Sequence, residues 1–199
     1  RDLHRVDRRQ RQMCIRDSAQ ALRYLYRLID ADQLQLDDSA LPGLLEAAQH
    51  TGFTGLNITY PFKQAILPLL DELSDEARGI GAVNTVVLKD GKRVGHNTDC
   101  LGFAEGLRRG LPDVARRQVV QMGAGGAGSA VAHALLGEGV ERLVLFEVDA
   151  TRAQALVDNL NAHFGAERAV LGTDLATALA EADGLVNTCL LYTSPSPRD

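Results

Sequence analysis

The sequence predicts an α/β fold built as two α/β domains, and three observations predict it. Short apolar runs alternate with stretches of helical periodicity along most of the chain. The alternation continues on both sides of a break at Leu111-Pro112-Asp113. Just after that break, Gln118–Leu136 (QVVQMGAGGAGSAVAHALL) runs from an apolar segment through a glycine cluster into an Ala-rich helical stretch. Repeated strand–helix units build parallel sheets with helices on their faces. Both domains are therefore expected to be parallel, with the cleft between them as the ligand site.

Each element has a local reason. Tyr24–Ile29 (YLYRLI) alternates in polarity and reads as a strand. Asp38 and Ser39 are placed to cap a helix through Leu41, Leu44, Leu45 and Ala48 that ends at Gly52. Gly55–Tyr60 reads as a strand, and Pro61 suits the first turn of a helix covering Ala65, Ile66, Leu69 and Leu70. Ser74 with Asp75 and Glu76 starts the next helix. Val83–Leu88 and Arg93–Asn97 flank Asp90-Gly91, a hairpin signal. Thr98 and Asp99 open a helix closed by Gly110. Beyond the glycine cluster the pattern gives a strand ending at Phe146, a helix over 151–164, a strand over 169–171, a helix over 175–182 and a last strand over 184–188.

The glycine cluster carries the first functional signal. Gly123, Gly125 and Gly128 occupy the three positions of G-x-G-x-x-G, and Gly126 is an extra. Gly123 permits the tight turn off the strand, Gly125 lets a pyrophosphate approach the backbone, and Gly128 lets helix and strand pack closely. The helix N-terminus then offers free N–H groups and a partial positive charge. Glu147 follows the next strand, nineteen residues beyond Gly128, where a carboxylate accepts the ribose hydroxyls of an adenosine. This half reads as a Rossmann-like dinucleotide-binding domain, with Gly123, Ala124, Gly125, Gly126, Ala127, Gly128 and Glu147 toward the cofactor.

Composition sets further bounds. A net charge of −5 argues against a nucleic-acid or membrane surface, and no apolar run approaches spanning length. The ends differ from the rest: residues 1–18 carry six Arg, and 190–199 (LLYTSPSPRD) break an Ala-rich stretch abruptly. Met13–Ser18 and Cys189–Ser194 admit codons that are reverse complements over sixteen bases, as an inverted repeat would be, and they resemble a transposase sequencing adapter. Residues 1–18, wholly or in large part, and 189–199 are therefore expected to be non-native flanks. Residues 19–188 alone hold 14 basic and 22 acidic residues and a single cysteine, Cys100. One cysteine makes no internal disulfide, which fits a reducing cytoplasm.

Polar residues cluster where strands give way to helices: Asn57, Thr59 and Lys63, then Asn84, Asn97, Thr98 and Asp99. Such positions face the ligand side of an α/β sheet. On the residues alone, Asp99 reads as a helix-starting acid, and Lys63 stays open between a solvated lysine and a proton-transfer group tuned by a helix N-terminus and an adjacent aspartate. The stretches GLNITYPFKQAILPLLDELSDEA, IGAVNTVV, GHNTDCLGF and QMGAGGAGSAVAHAL, however, resemble the shikimate and quinate/shikimate dehydrogenases over essentially all of 20–188. The resemblance implies a substrate-binding domain over 19–110 and an NAD-binding domain over 111–188. It implies Lys63 and Asp99 as the catalytic pair; Thr59, Lys63, Asn84 and Asp99 as polyol-binding residues; and Asn187 and Thr188 as the start of a loop near the nicotinamide. It also implies that a first strand with a Ser/Thr clamp precedes residue 19 and that more of the cofactor domain follows Thr188. Both domains thus read as truncated, and the chain as poorly active or inactive.

Cofactor choice rests on the residues after the second strand. NADP-using members typically carry Asn-Arg-Thr there, whereas this chain has Glu147, Val148 and Asp149. Two carboxylates repel a 2′-phosphate, and Arg152 on the following helix is expected to cover the adenine face. The expectation is NAD rather than NADP, with shikimate or quinate and their dehydro forms as substrates. No nucleic-acid, membrane or metal partner is indicated: His50, His133 and His163 are isolated and lack metal-ligand spacing. An NADP-dependent shikimate dehydrogenase, a reductase of another small carbonyl compound and a non-catalytic dinucleotide-binding module are the alternatives. The residues do not rank quinate against shikimate, and they give no oligomeric state.

Overall fold

The computed structural model describes residues 25–189, which fall into two compact units, one ending at Ala40 and the other starting at Leu41. Most of both expected flanks lies outside the described residues. In the first unit Leu25–Ile29 forms no strand, against expectation. A strand needs a neighbour to take its N–H and C=O groups, and no ladder among the described residues includes this run. Leu25 is accordingly exposed. A 3₁₀ turn follows over Asp38–Ala40. Its capping group is Asp37 rather than the expected Asp38 and Ser39: one Asp37 oxygen accepts the Ser39 N–H at 2.9 Å and the Ser39 hydroxyl at 2.5 Å.

The second unit contains two four-stranded sheets. Helix α1 (Leu41–His50) buries Leu41, Leu45 and Ala48 on one face and runs into a turn at Gly52, φ +79°. The first sheet has the order β1 (Gly55–Asn57), β3 (Thr85–Lys89), β4 (Lys92–His96), β2 (Glu72–Leu73). It is mixed rather than parallel: β3 pairs antiparallel with both β1 and β4, and only β2–β4 is parallel. The two-residue loop decides this, because such a loop joins only antiparallel neighbours. Asp90 and Gly91 both take positive φ, 52° and 77°, as this type of hairpin turn requires.

Between β1 and β2 the expected single helix is broken. Helix α2 covers only Phe62–Ala65, and Leu67–Leu69 continues as a 3₁₀ turn. Pro68 is the cause, since its ring clashes with the carbonyl four residues back and it lacks a donor. Helix α3 (Asp75–Ile80) keeps its expected cap: the Ser74 hydroxyl accepts the Ala77 N–H, and Gly81 closes the helix at φ +68°. Helix α4 (Asp99–Gly110) then leads to the second sheet.

That sheet has the order β7 (Ala169–Leu171), β6 (Arg142–Phe146), β5 (Gln118–Met122), β8 (Gly184–Asn187), and every pairing is parallel. The crossovers are α5 (Gly126–Gly137), α6 (Ala150–Phe164) and α7 (Leu175–Ala180). Val119 and Val120, like Leu143, Val144 and Leu145, are buried consecutively, as strands covered on both faces must be. Val119, Leu143 and Leu145 pack with Leu135, Leu136, Val140, Leu156 and Leu160. Phe103 and Leu107 of α4 rest on this core, and Cys100 of α4 packs on Ile80, Ala82 and Ala130. Neighbours of β5 lie on opposite sides, which makes its carboxyl end the point where the chain reverses its winding direction. Ligands bind there in open α/β sheets. No helix among the described residues is long and apolar enough to cross a membrane.

Candidate active site

Lys63 lies on the short helix α2, which is pinned locally. The Phe62 N–H donates to the Thr59 carbonyl at 3.0 Å, the Lys63 carbonyl accepts from Val83 at 2.8 Å, and Phe62 and Ile66 are buried. The Lys63 ammonium reaches Asp99, the first residue of α4, with Nζ 2.5 Å from Oδ2. This is more than the helix-start role that the residues alone suggest for Asp99. Its side chain is 37 % exposed and that of Lys63 only 17 %, so the pair is open on the carboxylate side.

Two buried asparagines hold Asp99 and its neighbour in place. Asn97 donates to the Ala82 carbonyl at 2.9 Å and accepts the Asp99 N–H at 3.0 Å. Asn84 donates to the Thr98 hydroxyl at 2.9 Å and accepts the Thr98 N–H at 3.1 Å and the Thr85 hydroxyl at 3.0 Å. An amide carries two protons, and the Thr98 bond uses one of the two on Asn84. Thr59 lies exposed in the turn before α2.

The glycine turn follows β5. Gly123 takes φ +100° and donates to the Phe146 carbonyl at 2.8 Å. A Cβ on Gly128 would fall 2.4 Å from the Gly123 oxygen, which is the close packing expected of the third glycine. A Cβ on Gly125 would meet nothing within 4 Å, so the backbone there faces open space. Ala124 is buried behind the turn, while Ala127 is exposed on the first turn of α5. Thr188 closes the turn from β8, its hydroxyl donating toward the Met122 carbonyl at 2.8 Å and the Gly123 carbonyl at 3.2 Å. Asn187 accepts the Cys189 N–H at 2.9 Å.

Sequence reasoning missed Gln121. It is fully buried in β5, and its Nε2 donates to both the Gly123 and the Gly128 carbonyls at 2.9 Å, tying the two ends of the turn together. The available signal was a polar residue inside an otherwise apolar strand. The histidines read as isolated are also partly brought together. The His133 and His163 rings lie 5.5 Å apart, and His133 bonds to Asn159 at 2.8 Å. Burial pushes the His133 imidazole below its usual range, and the Asn159 bond opposes the shift.

Glu147 is anchored before any ligand arrives. One oxygen accepts the Ala124 N–H at 2.8 Å, and the other accepts those of Val148 at 2.8 Å and Asp149 at 3.2 Å. Of roughly four lone-pair directions on a carboxylate, about one remains for a hydroxyl. Burial acts to raise its pKa, but the N–H bonds from Ala124, Asp149 and Val148 and the charge of Arg152 outweigh burial and lower it. A depressed folded value contributes stability above the ordinary carboxylate range, lost as pH falls through the folded value. Glu147→Gln is therefore expected to destabilise the protein at pH 7, with the gap to wild type shrinking on acidification. Urea unfolding from pH 7 to pH 3 checks this, and a gap independent of pH would contradict it.

Asp149 caps α6, accepting the Arg152 N–H at 3.0 Å, and the Arg152 guanidinium turns back onto it at 3.1 Å. Arg152 is thus engaged with a carboxylate rather than free. Val148 between the two acids is fully exposed.

Residues 16–86 match the shikimate dehydrogenase substrate binding domain. The chain is 53 % identical over 173 residues to a quinate/shikimate dehydrogenase (NAD(+)) of Corynebacterium efficiens, covering 85 % of this chain and 61 % of that protein. The chain is similar to the shikimate dehydrogenase family. It is also 51 % identical over 170 residues to a shikimate dehydrogenase (NADP(+)) of Streptomyces avermitilis, covering 84 % of this chain and 58 % of that one. The structure of quinate dehydrogenase from Corynebacterium glutamicum in complex with NAD superposes with a TM-score of 0.77 at 46 % identity, over 87 % of this chain and 62 % of that one. The chain thus spans about three fifths of the length of these shikimate dehydrogenase family relatives.

Proposed function

We propose that the protein carrying this chain is an NAD-dependent oxidoreductase that interconverts shikimate with 3-dehydroshikimate, quinate with 3-dehydroquinate, or both, by hydride transfer at the ring C3 hydroxyl. The observation that carries this reading is the Lys63–Asp99 pair, set beside the glycine turn at the end of β5. Residues 19–110 serve as the substrate-binding domain and 111–188 as the dinucleotide-binding domain, with 1–18 and 189–199 as non-native flanks. The setting is the cytoplasm.

The residues present fit a dinucleotide. Gly125 faces open space, the first turn of α5 offers N–H groups with no partner inside the helix, and Glu147 keeps an acceptor direction for a ribose hydroxyl. A bound nicotinamide supplies the hydride acceptor. The chain's own residues position the hydroxyl and take its proton. Lys63 and Asp99 hydrogen-bond the reacting oxygen, one of the two, as a neutral amine or as the carboxylate, takes its proton as the ring carbon becomes a carbonyl carbon, and Thr59 and Asn84 bond the remaining hydroxyls.

Glu147 and Asp149 favour NAD, because a 2′-phosphate would sit against two carboxylates and Arg152 is already paired. The kinship to the Streptomyces enzyme keeps an NADP-dependent shikimate dehydrogenase as the second reading. Nicotinamide absorbance, followed with shikimate or quinate on the chain extended to its relatives' length, tests both. Higher kcat/KM with NAD is expected. A preference for NADP would overturn the cofactor assignment, and no turnover with either would leave a non-catalytic binding module.

A further inference from the structure

We propose that Gly126, the extra glycine of the turn, is a positioning residue for Lys63: its missing side chain is the space that the lysine stem occupies. The proposal rests on the dehydrogenase reading only for the statement that Lys63 is catalytic. Gly123, Gly125 and Gly128 account for the turn, the phosphate approach and the helix–strand packing, and Gly126 is needed for none of these. It is the first residue of α5 and lies in helical conformation, where a left-handed backbone is not the reason for glycine and alanine is the better helix former. A Cβ there would fall 2.8 Å from the Lys63 Cβ, 3.2 Å from its Cδ and 3.6 Å from its Cγ. Carbon atoms in contact sit about 3.5–4.0 Å apart.

Neither side can yield cheaply. The Lys63 Cβ is fixed by a backbone whose carbonyl is bonded to Val83 and whose neighbours Phe62 and Ile66 are buried. Helix α5 carries buried residues along its length, from Gly128 to Leu136. The Asp99 backbone is anchored independently of both, its N–H held by Asn97. A methyl group at position 126 therefore displaces the lysine stem while the Asp99 backbone stays, and the 2.5 Å contact between the two side chains opens. Gly125, one residue earlier, is the control, because a Cβ there meets no protein atom. The two adjacent glycines thus serve different partners, Gly125 the ligand and Gly126 the lysine.

The 199-residue chain has only three lysines, Lys63, Lys89 and Lys92, so ε-labelled lysine gives a short NMR spectrum in which Lys63→Arg identifies the Lys63 signal. In Gly126→Ala the Lys63 signal should move to its position in Asp99→Asn. In Gly125→Ala the Lys63 signal should stay at its wild-type position, with NADH affinity falling at least tenfold. A wild-type Lys63 signal in Gly126→Ala would overturn the proposal. Should Gly126→Ala not fold, Lys63→Gly/Gly126→Ala removes the opposing Cβ: recovery of cooperative unfolding supports the proposal, and failure to recover overturns it. Absence of NADH binding by the wild type would count against the dehydrogenase reading, and the Lys63 signal would still decide the role of Gly126.

Discussion

Lys63→Ala, made in the chain extended to its relatives' length, is expected to lower kcat by about 10²–10⁴-fold, the range for loss of a positioned proton-transfer group. The ammonium and carboxylate form one hydrogen-bonded unit, with Nζ 2.5 Å from Oδ2, and either group alone lacks the partner that orients it. Asp99→Asn should therefore show a loss of similar size, and the double variant should be little worse than the poorer single one, because groups acting as a unit are not additive. Affinity for NADH should change little in all three, since the glycine turn and Glu147 are held by bonds that include neither residue. Steady-state kinetics paired with direct NADH titration separates the two effects. Turnover within a few-fold of wild type in Lys63→Ala would remove the pair from the mechanism. A parallel collapse of NADH affinity would instead make Lys63 a structural support for the turn.

Legibility in the sequence followed how local the determining physics is. The Asp90-Gly91 turn, the Ser74 cap and the glycine turn are set by a few adjacent residues, and each stands where the sequence puts it. The second sheet was legible because its central strands are mostly apolar and its crossovers have helical periodicity. Errors arose where the outcome depends on a distant or overlooked partner. The run over 25–29 has the alternation of a strand but no ladder among the described residues. The first sheet is mixed because one two-residue loop outweighs the strand–helix alternation around it. Helix α2 stops short because Pro68 stands inside a window whose apolar spacing otherwise suits a helix. At the candidate site, Lys63 and Asp99 stand 36 residues apart, and only the resemblance singled them out together. Nothing in the sequence spacing shows that Gly126 abuts Lys63, because that contact joins elements of different sheets.

Gln121→Glu is expected to destabilise the fold more than any other single substitution considered. The two side chains have the same shape, but the nitrogen that carries both donors becomes a carboxylate oxygen facing the Gly123 and Gly128 carbonyls, each 2.9 Å from the present nitrogen. Turning the amide over offers no relief, since it would set the Gln121 oxygen against the same two acceptors. The position is fully buried and the existing Oε1 already lacks a partner, so no neighbouring donor waits for a new negative charge. An uncompensated buried charge costs about 3–5 kcal/mol, against a total stability of about 5–15 kcal/mol for a typical domain. Burial raises the folded pKa of such an acid. The Gln121→Glu protein should therefore be most stable below about pH 4.3, the ordinary value for glutamate, and lose stability as pH rises from there to the folded value. This slope is opposite in sign to that from Glu147. Gln121→Leu separates charge from lost bonding. It removes the donors and the orphan oxygen together, and the Gly123 carbonyl keeps the Thr188 hydroxyl, so about 1–2 kcal/mol is expected, near the net worth of the bonds removed. Urea unfolding of both variants across pH 4–8 is the measurement. Equal stability of the two at pH 7 would mean that the buried amide does not hold the turn.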